Sequence, residues 1–189
     1  MKKIVAFDWD GTLCDSRERH RLLLDDILQK RRINIDTSNL MAFKRLGKNN
    51  VDFLISNGVD ETTACEIQKE WIEHIEDQKY LEHDCLKQGA LFLLNEYSAN
   101  DLILITARRN EEALFNQVGR LGVNNFFYKI FVVSPGKCAA EEKAKILIEQ
   151  KATLMIGDTH TDFKAAQIAG VDFQFVENGF HNKEIAEGA

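Results

Sequence analysis

Three short apolar runs in this chain stop at polar residues of similar kinds. Ile4-Val5-Ala6-Phe7 ends at Asp8-Trp9-Asp10-Gly11-Thr12. Leu102-Ile103-Leu104-Ile105 ends at Thr106, ahead of Ala107, Arg108 and Arg109. Leu154-Met155-Ile156 ends at Gly157-Asp158, with Thr159, Thr161 and Asp162 close behind. A continuous apolar run of this length, bounded by turn residues, reads as a strand buried on both faces. Carboxylates are costly to bury without a partner. Two acids at the mouth of a core strand therefore point to a metal, a substrate or both, and Gly11 lets the backbone reverse sharply beside them.

The second half of the chain alternates between the two periodicities. Helices are predicted at about 86–97, 110–121, 139–150 and 162–169, and strands at about 101–106, 129–134, 152–157 and 172–176. This βαβ alternation predicts an α/β core, a parallel sheet with helices on both faces. In open sheets of that kind ligands bind outside the carboxyl ends of the strands. Gly122 and Gly170 stand where helices should stop. The one proline, Pro135, separates a strand from a helix. Residues 180–189 carry little pattern and are expected to fray.

Residues 15–85 have a different character: strand-like runs vanish and helical spacing takes over. Leu22, Leu23, Asp26, Ile27 and Lys30 lie on a helical grid. Ala64, Ile67, Trp71, His74 or Ile75, Gln78 and Leu81 form one stripe, predicting a single long helix. Shorter helices are expected at about 38–46 and 51–57, split by Gly47-Lys48-Asn49-Asn50. The predicted organisation is a core of residues 1–14 and 86–189 with a helical unit, 15–85, inserted after the first strand.

Composition narrows the partners. The 189 residues carry a formal net charge of −6 and are 44% hydrophobic. That balance suits a globular chain with a sizeable core and argues against an electrostatic hold on a nucleic acid polymer. No stretch approaches the ~20 apolar residues of a membrane span. The four cysteines, Cys14, Cys65, Cys85 and Cys138, include no Cys-x-x-Cys pair, and free thiols in the cytoplasm are expected. The oligomeric state, monomer or dimer, stays open.

Two metal readings fail on spacing. An EF-hand loop starting at Asp158 would need Gly at its sixth position and an acid at its twelfth, where the chain has Phe163 and Ala169. The five histidines show no zinc spacing.

Together the polar segments resemble the haloacid dehalogenase-like phosphatase superfamily, over residues 2 to about 176 and in the order that family shows. Asp8-x-Asp10-Gly11-Thr12 is similar to its nucleophile motif, the run ending in Thr106 to its second motif, and Gly157-Asp158-x-x-x-Asp162 to its fourth. The third motif, a lysine at the start of a helix, is placed at Lys143, with Lys137 and Lys145 competing. The resemblance implies a Rossmann-like core with a helical cap, hinged near Cys14-Asp15 and Asp84–Gln88. It implies hydrolysis of a small phosphorylated metabolite. Asp8 would be the nucleophile, forming an aspartyl-phosphate, and Asp10 the general acid and base.

The implied cofactor is Mg²⁺, held by Asp8, Asp158 and the Asp10 backbone carbonyl, with Asp162 behind them or as an added ligand. Thr106, Lys143 and backbone N–H groups after Asp8 would hold the phosphoryl oxygens. Thr12, Ala107 and Arg108 are candidate substrate contacts at the same edge, Arg108 toward phosphate or a nearby carboxylate. In the cap, Arg45, Lys48 and Asn49 are the candidates, because Gly47-Lys48-Asn49-Asn50 resembles the family's specificity loop. Asp10 sets the chain apart from the dehalogenase branch, whose halide leaving group needs no proton. Two alternatives stay open: a phosphotransferase or mutase of the β-phosphoglucomutase type, and a non-catalytic binding protein on the same fold.

Overall fold

The structure, a computed structural model, describes residues 2–188. In chain order it begins with β1 (Ile4–Phe7) and β2 (Cys14–Asp15). Five helices follow: α1 (Arg17–Lys30), α2 (Leu40–Arg45), α3 (Asn50–Ser56), α4 (Glu61–His74) and α5 (Gln78–Leu81). Next come β3 (Cys85–Leu86), α6 (Ala90–Glu96), β4 (Asp101–Ala107), α7 (Glu111–Arg120) and β5 (Phe127–Val133). The chain closes with α8 (Ala139–Gln150), β6 (Leu154–Gly157), α9 (His160–Ala169), β7 (Asp172–Phe175) and α10 (Lys183–Ala186). Two compact units result: the residues up to Asp15 with those from Cys85 onward, and Ser16–Asp84.

The first unit is a Rossmann-like α/β layer structure. Its five-stranded sheet runs in the order β5-β4-β1-β6-β7, and every neighbouring pair is parallel. β1 is central, with Phe7 in register with Leu104 of β4 and Ile156 of β6. Both faces are covered, which is why these strands read as unbroken apolar runs. Val5, Phe7, Leu102 and Leu104 pack with Leu94 of α6 and with Leu114 and Val118 of α7. Ala6, Ile103 and Ile105 pack with Ala144 and Leu147 of α8 and Ala165 and Ala166 of α9. The chain builds outward from β1 to β5 on one side, then crosses back to β6 and β7. Such a reversal of strand order leaves a crevice at the carboxyl ends. β2 and β3 form a separate antiparallel ribbon, pairing Cys14 with Leu86 and Asp15 with Cys85.

The second unit has its own core. Leu23, Leu24, Ile27 and Leu28 of α1 pack with Leu40, with Phe53 and Leu54 of α3, and with Ala64, Ile67 and Trp71 of α4. A buried ion pair joins Arg19 Nε to Asp84 at 3.1 Å. α3 begins with a reciprocal cap: Asn49 Oδ1 accepts from Asp52 N–H at 3.0 Å, and Asn49 N–H donates to Asp52 Oδ2 at 2.9 Å.

Several expectations are corrected. The single stripe from Ala64 to Leu81 is broken into α4 and α5, because Asp77 takes an extended conformation (ψ 139°) and starts a new helix. The helix expected from residue 86 starts only at Ala90: Leu86 belongs to the ribbon, and Gly89, at φ 86°, precedes the helix. The segment expected to fray is ordered from 182 to 188. Asn182 caps α10 by accepting from Ile185 N–H at 3.1 Å, and Ala186 is fully buried. No described helix is long and apolar enough to cross a membrane.

Candidate active site

Asp8 leaves β1 at the centre of the carboxyl edge, its N–H donating to Ile156 O of β6 at 2.9 Å. The chain then reverses at once: Leu13 and Cys14 both donate to Trp9 O at 2.9 Å, and Gly11 N–H donates to Cys14 O at 2.8 Å. Gly11 has φ 81°, and a Cβ there would lie 2.3 Å from Asp158 Oδ2. Only glycine allows that turn against that carboxylate. Trp9 is fully buried in the apolar layer. Asp8 and Asp10, on either side of it, both line a cleft of about 210 Å³ with Thr106, Ala107, Lys143, Thr159, Thr161 and Phe180.

Three buried carboxylates gather beside the cleft. Asp8, Asp158 and Asp162 each offer an oxygen, and these oxygens lie within 4.8 Å of one another. Lys143, on the first turns of α8, bridges two of them: its Nζ donates to Asp8 Oδ1 at 2.6 Å and to Asp162 Oδ1 at 2.7 Å. Asp162 Oδ2 closes the capping box of α9, accepting from the Thr159 hydroxyl at 2.6 Å and its N–H at 3.1 Å. Asp158 is held on both oxygens, by the Thr12 hydroxyl at 2.7 Å and the Phe180 N–H at 2.6 Å.

This crowding leaves its mark on the protonation equilibria. Burial, and then Asp162, push the Asp158 carboxyl up to about 7. The same two causes raise Asp8 well above the usual carboxylate range, against the pull of Lys143. Burial alone would lower the Lys143 ammonium, but Asp162 and Asp8 outweigh it and hold the pKa above the ordinary lysine range. Charges of like sign that must share a dry site favour uptake of a proton or of a cation.

Asp10 has a different partner. Arg108 Nε and Nη2 reach its two oxygens at 2.6 and 2.9 Å, a fork-on-carboxylate pair. Arg108 is therefore set against a carboxylate, one of its two expected targets. Thr106 is buried at the end of β4. Among the competing lysines, Lys137 and Lys145 are exposed, and only Lys143 is buried at the cleft.

Thr12, a candidate substrate contact, donates its hydroxyl to Asp158 at 2.7 Å. In the inserted unit Arg45 ends α2 half-buried, Lys48 and Asn49 are exposed, and the Asn49 side chain is used as a helix cap. Sequence reasoning did not nominate a neighbour, Lys44. Its Nζ lies 3.1 Å from His20 Nδ1 and 4.7 Å from the Trp71 ring centroid. Burial, and then Arg19, lower it to about 7.

Other site residues escaped the sequence reading. The loop after β7 brings Phe180 N–H onto Asp158, and Gly179 permits it, since a Cβ there would lie 2.2 Å from Asp158 Oδ2. Lys87, beside the ribbon, donates to Gly11 O at 2.5 Å and Glu177 O at 2.9 Å, tying that loop to the turn after Asp10. Pro135 and Gly136 line the cleft from the loop after β5. The glycines were the available signal, but one glycine does not say what approaches it.

The donor set fits a hard divalent cation: the three clustered acids supply oxygen ligands only. Three carboxyls gather there, and the ammonium hydrogen-bonded to them, Lys143, meets Asp8 and Asp162 but not Asp158.

A central parallel strand ending in acids, with a lysine-bridged carboxylate cluster beside it, defines a Rossmann-like α/β enzyme with a cation-ready site at its carboxyl edge. The chain belongs to the haloacid dehalogenase-like hydrolase family, whose model matches residues 2–170. It is similar to a haloacid dehalogenase-like protein from Streptococcus pneumoniae (TM-score 0.77, 18% identity, 99% of this chain and 90% of that one). It is also similar to a predicted phosphatase from Clostridium acetobutylicum (TM-score 0.73, 20% identity, 100% and 90%). A third similar structure is a predicted phosphoglycolate phosphatase from Haemophilus somnus (TM-score 0.71, 16% identity, 96% and 88%). At these identities the likeness is one of fold. No curated protein matches the chain.

Proposed function

We propose that this hydrolase is a Mg²⁺-dependent phosphomonoesterase acting through an aspartyl-phosphate on Asp8. The observation that carries this reading is one cleft with two carboxylates in different surroundings. Asp8 faces Lys143 and Asp10 faces Arg108, and both line one cleft with Thr106. Different surroundings let two acids take separate roles.

In the first step an Asp8 oxygen bonds to phosphorus as the ester P–O bond breaks, and Asp10 gives a proton to the departing alcohol. In the second step water attacks the same phosphorus and gives its proton to Asp10. Inorganic phosphate leaves and the Asp8 carboxylate is restored. Lys143 keeps Asp8 oriented throughout, and the Thr106 hydroxyl with the N–H groups of the turn receives the phosphoryl oxygens. Asp8, Asp158 and the Asp10 carbonyl would hold Mg²⁺, with Asp162 behind them; bound there, the ion would offset repulsion between the nucleophile and the phosphate.

The Ser16–Asp84 unit is read as a cap that admits substrate and excludes water, with Arg45, Lys48 and Asn49 as its specificity residues. Phosphatase names among the similar structures, one of them a predicted phosphoglycolate phosphatase, favour a small phosphorylated metabolite as substrate. The four cysteines are free thiols, which fits a reducing cytoplasm. The test is phosphate release from para-nitrophenyl phosphate and a panel of phosphorylated metabolites, with Mg²⁺ and with a chelator. Release that depends on Mg²⁺ and is absent in Asp8→Asn supports the reading. Isomerisation without free phosphate, or equal release by both proteins, overturns it.

A further inference from the structure

One buried amide lies outside every motif segment, yet reaches the centre of the site. Gln117, on α7, is only 3% exposed. Its Oε1 accepts two hydrogen bonds, from Trp9 Nε1 at 2.7 Å and from Arg108 Nη2 at 3.0 Å. Trp9 stands between Asp8 and Asp10 in the chain. The same Arg108 Nη2 that meets Gln117 also meets Asp10 Oδ1 at 2.9 Å, while Arg108 Nε meets Asp10 Oδ2 at 2.6 Å. A single acceptor thus holds both the residue preceding Asp10 and the cation facing it.

We propose that Gln117 is a positioning residue for proton transfer, fixing the orientation of Asp10 through Arg108 and Trp9; this rests on the assignment of Asp10 as general acid. The physical reason lies in the geometry of the guanidinium. It is planar and already meets both Asp10 oxygens through Nε and Nη2, and the Gln117 oxygen accepts from that same Nη2, tying the fork to α7. The Gln117 oxygen fixes the plane of the fork, and with it the direction in which Asp10 presents its oxygen. Supporting hydrogen bonds of this kind hold reacting groups to within the small tolerance that proton transfer needs. The Trp9 bond adds a second fixed point, since that indole is locked in the apolar layer.

Two aryl esters separate this from a merely structural role. Para-nitrophenyl phosphate has a leaving group that departs with little help from an acid, whereas phenyl phosphate, of nearly the same shape, needs the proton. In Gln117→Met, which keeps the volume and removes the acceptor, kcat/KM should fall roughly tenfold further with phenyl phosphate than with para-nitrophenyl phosphate. Asp10→Asn is measured alongside and should show the same selectivity, more strongly. If Asp10→Asn is selective and Gln117→Met is not, the proposal is wrong and the reading of Asp10 stands. If Asp10→Asn lowers both esters alike, the general-acid assignment fails and the proposal falls with it. A second measurement needs no change at Gln117: the indole N–H resonance of Trp9 should shift between the unaltered protein and Asp10→Asn. An unmoved resonance overturns the coupling.

Discussion

Lys143 Nζ lies 2.6 Å from Asp8 Oδ1, although 135 residues separate them in the chain. The contact joins the first strand to a helix near the far end of the sequence. It also places an ammonium between Asp8 and Asp162. The Lys143 side chain is 3% exposed, so both pairs are dry.

Removing that ammonium should cost more than a surface pair would. Lys143→Met leaves Asp8 and Asp162 facing each other without their cation, and breaking a buried pair typically costs about 3–5 kcal/mol. Urea denaturation in chelator should show a loss of that order, partly restored by Mg²⁺. An unchanged midpoint would mean that the acids do without Lys143.

The metal-free protein should lose stability as pH rises through neutrality. Asp158 is raised to about 7 and Asp8 is raised as well, whereas unfolded carboxyls titrate near ~4. Between those limits the folded chain binds more protons than the unfolded chain, so its stability falls with increasing pH in that window. Melting in chelator should therefore be higher at about pH 6 than at about pH 8. Saturating Mg²⁺ should weaken or reverse the trend, because the ion takes the place of the protons. The opposite slope in chelator would contradict the charge crowding described.

Substitution of the two acids that follow the first strand should separate their roles. Asp8→Asn should abolish phosphate release and raise the melting temperature in chelator, since one repelling carboxylate is gone. Asp10→Asn should lower turnover by about 10²–10⁴-fold. Steady-state kinetics and calorimetry on both variants check this, and residual turnover in Asp8→Asn would point to another nucleophile.

Gly179→Ala should weaken metal binding with little effect on the fold. Its Cβ would fall 2.2 Å from Asp158 Oδ2, so the carboxylate or the loop carrying Phe180 must move. Displacing groups that orient a metal ligand typically costs about 10–100-fold in affinity. Titration calorimetry with Mg²⁺ reads the change; an affinity equal to that of the parent would show that the loop yields freely.

In the Ser16–Asp84 unit, Arg45→Ala and Lys48→Ala should raise KM for the best metabolite of the panel more than for para-nitrophenyl phosphate. Equal effects on both substrates would remove the specificity role.

Much of this site was legible before the fold was known. Core strands declare themselves as unbroken apolar runs, so Asp8, Thr106 and Asp158 could be placed at strand ends, and β1, β4 and β6 are neighbours in the sheet. Lys143 carried a local signal as well. It interrupts the buried face of α8 formed by Ala140, Ala144 and Leu147, a place where an unpaired charge would not be tolerated. The break between α4 and α5 was not legible, because the helical spacing of apolar residues continues across it.

The chain's own pattern of runs and periodicities determined the α/β alternation, the inserted helical unit and the acids at the carboxyl edge. These follow from what each segment must bury by itself. Only the tertiary structure decided the partners. It gave Thr12 to Asp158, Arg108 to Asp10, Gln117 to Trp9 and Arg108, and the Phe180 N–H to Asp158. Those contacts depend on strand order and on the packing of helices against the sheet. Thr12 and Asp158, Asp10 and Arg108, and Trp9 and Gln117 stand about a hundred or more positions apart; they meet only after the core has closed, and no local periodicity encodes which of them will face each other.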